Sequence, residues 1–354
     1  MSVRNFLSSL HQPDSSATLR VGQAVKLNHD SRNIECAYVS PLAWDEDDLV
    51  EPMTGRRIAL DQPLSGRAFF VGYPFDRGLC VRGLDAFWTL VYDNRGTKAV
   101  LYKNWKEHRE LNRSYYFAKD FDYPIALTSI SSGRVVIVHC PNSYNTVEIE
   151  DAETGEMLGK KKSDKMEFQS RLSVSTDGRF LVSAGWFWHP LGGAWLCPVN
   201  AICGSDDPRE MEVGFSFGAE IDAAAFLGND HVVVSSTSEV VNDEPPISGL
   251  RPLQLGVWSI AESRWLSIAP LQEATGSIMP WKEWVISFHE HPKAIELATG
   301  KVVHVWDQIN SGKQIGSIEL GEPPPPVMAL NPRKGRFAVC DSYGITVVSL
   351  HTSE

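Results

Sequence analysis

The chain lacks most of the features that would point to a metal site, a disulfide scaffold or a membrane span. Its six cysteines (Cys36, Cys80, Cys140, Cys197, Cys203 and Cys340) are scattered over 354 residues without a Cys-X-X-Cys pair. Neither a zinc site nor a disulfide framework is therefore expected, and a reduced, cytoplasmic setting fits best. Positive charge is also scarce, with 33 Lys and Arg against 44 Asp and Glu for a net charge of −11. That balance argues against nucleic acid as a partner, and the local Lys160-Lys161-Lys162 triplet reads as a solvated loop. Residues 1–16 show no signal-peptide pattern. Residues 180–205 carry no Asp, Glu, Lys or Arg, which is long enough to span a bilayer. They also hold His189, Pro190, Pro198 and several glycines, so buried β-structure is expected there and no membrane partner. Helical periodicity is nearly missing; residues 3–10 and 104–111 are the exceptions.

What is present is a repeated grammar of short apolar runs and turns. Residues 168–200 show it best: Leu172-Ser173-Val174-Ser175 alternates, Thr176-Asp177-Gly178-Arg179 turns, and an apolar run over 180–184 follows. Asp-Gly between alternating segments is a strong hairpin signal, because Gly, Asn and Asp accept positive φ at low cost. The unit recurs over 18–60, 78–117, 124–159, 168–200, 220–268, 277–306 and 327–350. The turn from third to fourth strand recurs as Thr54-Gly55, Thr154-Gly155 and Thr299-Gly300, with Glu262-Ser263 in the equivalent place. Repeats of this length match propeller blades of four strands. The expected fold is all-β: a single β-propeller over 18–354, of seven blades with four antiparallel strands each, after an N-terminal extension over 1–17. The last unit offers only three strands, so an N-terminal strand from within 3–27 is expected to close the ring and remove an exposed edge. Pro323 to Pro326 would lead stiffly into that blade.

The segments STDGRFLVSAG and ELATGKVVHVWD resemble the WD-repeat and YVTN-like β-propeller superfamily over almost the whole chain. Trp-Asp occurs only at Trp306-Asp307, and the Gly-His signature is missing. More narrowly, TKAVLYKNWKEHRELNRSYY, VEIEDAETGE and LVSAGWFWHP resemble a family of uncharacterised bacterial proteins, a resemblance that implies no particular reaction.

Two stretches stand out as binding candidates. In Gly185-Trp186-Phe187-Trp188-His189-Pro190, period-two spacing puts Trp186 and Trp188 on one side at the end of a strand. Loop-borne aromatic pairs are frequent anchors, though such rings also fill space between blades. In Tyr102 to Tyr116, helical spacing would set Trp105 and Arg109 on one face with Arg113 beyond. With Lys106 and Tyr115, this composition suits an acidic or phosphorylated partner, or else a solvated strap pinned by Trp105. The candidate partner-binding residues are Trp105, Lys106, Arg109, Arg113, Tyr115, Trp186, Trp188 and His189.

Other motifs carry less. Gly214-Phe215-Ser216-Phe217-Gly218 matches a hydrolase string, but a strand follows the serine where the chemistry needs a helix. His289-Glu290-His291 offers two imidazoles without a third ligand. Asp45-Glu46-Asp47-Asp48 lacks the spacing of a calcium loop. The inner strands, among them Leu84-Asp85-Ala86-Phe87, hold few carboxylates, of which Asp85 and Asp222 are the clearest. No catalytic set, metal or cofactor is expected. The first reading is a non-catalytic scaffold presenting an aromatic and Arg-rich face to a protein, in one form an immunity-type inhibitor of a bacterial toxin. The alternative is a propeller hydrolase or lyase using His189, Asp85, Asp222 and Arg113 at the central channel. A third is a structural subunit with an exposed apolar patch.

Overall fold

Apolar runs broken every few residues by Gly, Asn, Asp and Pro leave room only for short strands, and short strands need many neighbours to satisfy their backbones. The computed structural model describes residues 26–34, 41–58, 60, 75–130, 132–163, 166–188, 190–204, 213–215, 218–241, 249–318, 325–341 and 344–353. After Lys26–Ile34 (β1) come seven antiparallel sheets. The first holds Ala43–Asp45 (β2), Asp48–Glu51 (β3) and Arg56–Ile58 (β4) among the described residues. The second holds Arg77–Arg82 (β5), Phe87–Tyr92 (β6), Lys98–Lys103 (β7) and Lys106–Asn112 (β8). The third holds Ile125–Ser129 (β9), Val135–His139 (β10), Thr146–Asp151 (β11) and Met157–Lys162 (β12). The fourth has a divided inner strand, Glu167–Phe168 (β13) and Ser173–Val174 (β14), both paired with Phe180–Phe187 (β15). Leu191–Pro198 (β16), the short helix Val199–Cys203 (α1) and Val213–Gly214 (β17) complete it. The fifth contains Ala219–Leu227 (β18), His231–Val240 (β19), Gln254–Ser259 (β20) and Arg264–Pro270 (β21). Ile278–Trp281 (β22), Trp284–Ser287 (β23), Lys293–Glu296 (β24) and Val302–Val305 (β25) form the sixth. The seventh joins Val327–Asn331 (β26), Arg336–Asp341 (β27) and Gly344–Ser353 (β28) to β1.

This is the expected seven-bladed propeller. Its core is a ring of seams and not a central mass: each of seven buried clusters draws on two consecutive blades. Met53 of the first blade meets Val91 and Val100 of the second, for example, and Trp306 of the sixth meets Phe337 of the seventh. Alternation supplies these seams, because the two faces of every blade must each be apolar. In β11, Val147, Ile149 and Asp151 are buried while the residues between them are partly exposed.

The recurrent turns form as expected. Gly55, Gly155 and Gly300 have φ of 73°, 73° and 70°, and Ser263 takes the same left-handed conformation at 49°. In each glycine turn the amide donates four residues back, to the carbonyl of Glu51, Asp151 or Glu296 at 2.8–2.9 Å. The acid's own carboxylate accepts from the threonine before the glycine, so the motif reads acid-X-X-Thr-Gly. The Lys160-Lys161-Lys162 triplet is not a loop: it ends β12, and Lys161 is buried with its ammonium donating to Ser163 Oγ at 3.1 Å.

The ring closes through the N-terminal side of the chain, as expected, but by a later strand. β1 pairs with β28 in unbroken register from Lys26↔Ser353 to Ile34↔Ile345. The stretch 3–27 overlaps it only at Lys26 and Leu27, and residues 26–34, expected in the first blade, are the outermost strand of the seventh. The extension 1–17 lies outside the described residues. Side chains reinforce the pairing: Asn28 Nδ2 donates to Ser353 Oγ at 2.8 Å and Asn33 Nδ2 to Thr346 Oγ1 at 3.2 Å. On the neighbouring blade, Trp306 Nε1 donates to His29 Nδ1 at 3.3 Å, and the His29 and His304 rings lie 4.1 Å apart.

That contact makes closure sensitive to acid. Burial, and then His29 beside it, hold the His304 pKa below its ordinary value. As pH falls, the unfolded chain takes up this proton first, so stability is unaffected above about pH 6.5 and declines below it. Melting temperatures measured from neutral to mildly acidic pH should fall in the wild type and fall less in His304→Gln. Parallel profiles for the two would contradict the assignment.

Candidate functional site

The connection from β8 to β9, residues 113–124, is built on Arg113. The side chain is buried, and its guanidinium donates to the carbonyls of Gly96 at 2.8 Å, Asp122 at 3.1 Å and Phe121 at 3.1 Å, and to that of Ala118. It lies against the Phe121 and Tyr123 rings, 4.7 and 4.8 Å from their centroids. Desolvation pulls its pKa down to about 10, which leaves it charged at neutral pH. A buried cation is tolerable only when its donors are used, and here they fold the strap back on itself. Arg113 is thus unavailable to a partner, contrary to the expectation from sequence.

The strap carries aromatic residues onto the end of the β15–β16 hairpin. Trp186 and Phe168, both buried, stack with centroids 3.8 Å apart, and Tyr144 stacks on Phe168 at 4.0 Å. Phe121 meets Phe168 edge-on at 5.6 Å. Phe117, held at φ 54°, meets Trp188 edge-on at 5.0 Å, while Tyr116 stacks on Tyr144 at 5.3 Å. Trp186 and Trp188 share a side, as their spacing predicts, 5.9 Å apart. Their roles differ: Trp186 is embedded, whereas Trp188 is 43% exposed; Tyr115 and Tyr116 of the strap are 87% and 49% exposed. A Cβ on Gly185 would come within 1.9 Å of the Phe168 carbonyl, so only glycine lets the stack form. His189 lies outside the described residues.

A second segment, residues 306–318 following β25, reaches from the sixth blade to the fifth and the fourth. His289 and His291 hold it at the sixth blade through Gln314 O (3.3 Å) and Ile309 O (2.7 Å). Gly316 N donates to Asp222 Oδ1 of the fifth blade at 2.6 Å. Ser317 Oγ donates to Gly185 O of the fourth, and Ile318 bridges to Phe121 of the strap. The other oxygen of Asp222 accepts from Thr275 N, Thr275 Oγ1 and Gly276 N at 2.6–3.0 Å. Asp222 is therefore a structural clasp, fully buried. Asp85 sits in the exposed β5–β6 turn and not on the inner strand, which is β5. The structure does not gather Asp85, Asp222 and Arg113 into one site. His289-Glu290-His291 is a bend around Glu290 (φ 60°), and no group of three or more metal-ligating side chains occurs among the described residues.

The other half of the polar stretch is also placed differently from expectation. Residues 104–111 are not helical: Asn104 and Trp105, with φ of 50° and 65°, form a two-residue turn between β7 and β8, the geometry a tight hairpin requires. Trp105 packs on Phe87 with centroids 4.5 Å apart and covers Gly55 of the first blade. Lys106 is exposed at the start of β8. Arg109 pairs with Glu150 of the third blade at 2.9 Å. Trp105 and Lys106 are separated from the strap by the length of β8, roughly 20 Å, and Arg109 by about half of it. The acidic turn is likewise engaged between blades: Asp45, buried, accepts from Arg82 at 2.7 and 2.8 Å, and Asp47 pairs with Lys334 and Arg336. Ser216 and Phe217 lie outside the described residues. Sequence reasoning did not single out Phe168, Tyr144, Phe117 or Phe121; for Tyr144, Phe117 and Phe121 the signal was the concentration of aromatics in polar connections, where strand packing does not call for them.

No family model and no curated protein matches the chain. Among solved structures, the Raptor protein of Chaetomium thermophilum aligns with a TM-score of 0.55 at 10% identity, covering 92% of this chain and 29% of that one. BamB from Moraxella catarrhalis aligns at 0.48 and 11% identity over 91% of this chain and 97% of that one. The Pan2 WD40 domain of Neurospora crassa gives 0.48 and 11% over 90% and 89%. The likeness to the Raptor protein shows the fold alone.

The two tryptophans should separate in a stability assay. Urea unfolding of Trp186→Ala should lose about 3–5 kcal/mol, whereas Trp188→Ala should lose less than about 1 kcal/mol. Equal losses would show that Trp188 belongs to the core.

Proposed function

We propose that the chain is a protein-interaction scaffold whose contact face is the aromatic patch of Trp188, Tyr115 and Tyr116. One observation carries this: Trp188 and Tyr116, 43% and 49% exposed, rise from a stack whose inner members, Phe168 and Trp186, are 1% exposed, and Tyr115, 87% exposed, precedes Tyr116 in the chain. Exposed aromatics on a rigid base lose little conformational entropy when a partner covers them, which is what interface anchors need. The propeller fold is consistent with an interaction role. An acidic or phosphorylated partner loses its support, because Arg113 is enclosed and Arg109 is paired. The net charge of −11 instead favours a partner with a basic surface. Inhibition of a bacterial toxin, with Trp188 and Tyr115 entering the enzyme's cleft, is the finer form of this proposal in a cytoplasmic setting. A toxin gene directly upstream would support it.

Affinity capture from native cells, with Trp188→Ala/Tyr115→Ala beside a Trp105→Ala control, tests the face. A stoichiometric protein should be retained by the wild type and the control, with affinity reduced at least about tenfold in the double variant. Equal capture by all three would refute the assignment.

A further inference from the structure

Closing the ring covers one strand edge and leaves another. β28 is paired on both sides, but β1 is the outermost strand of its sheet, with no strand beyond it among the described residues. Native proteins guard such edges with bulges, with very short strands or with charge. The longer outer strands of other blades, β8, β12, β21 and β25, each pair with their neighbour through a register shift. β4 and β17 run for only three and two residues. β1 has neither protection: its nine residues pair with β28 without a shift. What guards this edge is charge alone, and the charge is self-complementary.

Asp30, Ser31, Arg32 and Asn33 are all exposed. Side chains alternate along a strand, so Asp30 and Arg32 project from one face of the sheet. Asp30 is 84% exposed, and its Oδ2 accepts from His351 Nε2 of β28 at 2.9 Å. The Arg32 guanidinium makes no hydrogen bond or ion pair among the described residues. A second β1 can be laid antiparallel against the first, with Ser31 opposite Ser31 on a two-fold axis. Asp30 of each copy then stands opposite Arg32 of the other. Residues directly opposite have Cβ atoms about 4.5–5.5 Å apart, within reach of an ion pair. The strand therefore carries both halves of its own complement, which is what an isologous two-fold contact requires. An unrelated extended peptide would have to bring the same charges at the same spacing.

We propose that two copies of the chain associate edge to edge through β1, joining their seventh blades into one eight-stranded antiparallel sheet with two reciprocal Asp30–Arg32 ion pairs. Backbone hydrogen bonds carry the affinity, and the exposed ion pairs set the register. Such a strip is far smaller than the roughly 1,200–2,000 Å² of a stable interface, so the dimer forms only at high concentration. The net charge of −11 on each copy opposes it. At physiological salt that repulsion is screened beyond about 8 Å, whereas the contacts across the edge are closer than this. The edge is separate from the aromatic face, and neither depends on the other.

Sedimentation velocity of the whole chain in physiological salt, from about 5 to 500 µM, decides the question. The wild type should shift reversibly from monomer towards dimer as concentration rises. Asp30→Arg and Arg32→Asp each set like charges opposite one another at two points, and each should weaken association at least about tenfold. An equimolar mixture of these two variants restores both ion pairs and should dimerise as the wild type does, as should the double variant Asp30→Arg/Arg32→Asp. Trp188→Ala should dimerise normally, since the aromatic face takes no part. A monomer throughout the range, undiminished association in either single variant, no recovery in the mixture, or loss of the dimer in Trp188→Ala would overturn the proposal. Retention of a partner by the aromatic face would be unaffected either way.

Discussion

The antiparallel pairing of Lys26–Ile34 with Gly344–Ser353 is the contact on which everything else rests. A propeller stores its hydrophobic core in the seams between blades, and a seam exists only while both neighbours are held. Without the closing strand, β28 would present a long unpaired edge, and the seventh blade would face the first with its outer side unfinished. Edges of that kind invite pairing with other chains. Drawing the strand from the opposite end of the sequence turns seven local sheets into one body, because any blade that leaves must break contacts on two sides.

Closure alone makes a disc. Two segments longer than the blades require are built onto it: the strap folded around Arg113 and the segment clasped by Asp222, His289 and His291. Both rely on the same physics, a polar or charged side chain buried among backbone groups that would otherwise lack partners. The two segments are joined through Phe121 and Ile318, and the second is tied to the fourth, fifth and sixth blades.

The architecture was legible because period-two alternation and turn residues are local signals. Acid-X-X-Thr-Gly specifies its own hairpin through a carboxylate, a hydroxyl and a glycine, and it could be read wherever it occurred. The closing strand was harder: KLNHDSRNI is polar, and its outer face is largely exposed, so it lacks the alternation that marks the other strands. The turn at Asn104-Trp105 misled in a related way. Asn-Trp lacks the glycine of a tight hairpin signal, and the charged residues after it imitate a helix face. Of the eight expected site residues, Trp186 and Trp188 do come together, because strand periodicity governs both. Arg113 and Arg109 could not be read correctly, since whether an arginine is free or spent depends on partners that tertiary structure alone supplies.

Native-state hydrogen exchange, read residue by residue under low denaturant, tests the central claim most directly. If ring closure carries global stability, the hydrogen-bonded amides of Lys26–Ile34 should open with the same free energy and denaturant dependence as those of the fully buried strand Val135–His139. If the N-terminal strand instead exchanges early, by local fraying, while Val135–His139 keeps its full protection, the ring stands without its latch and the account is wrong.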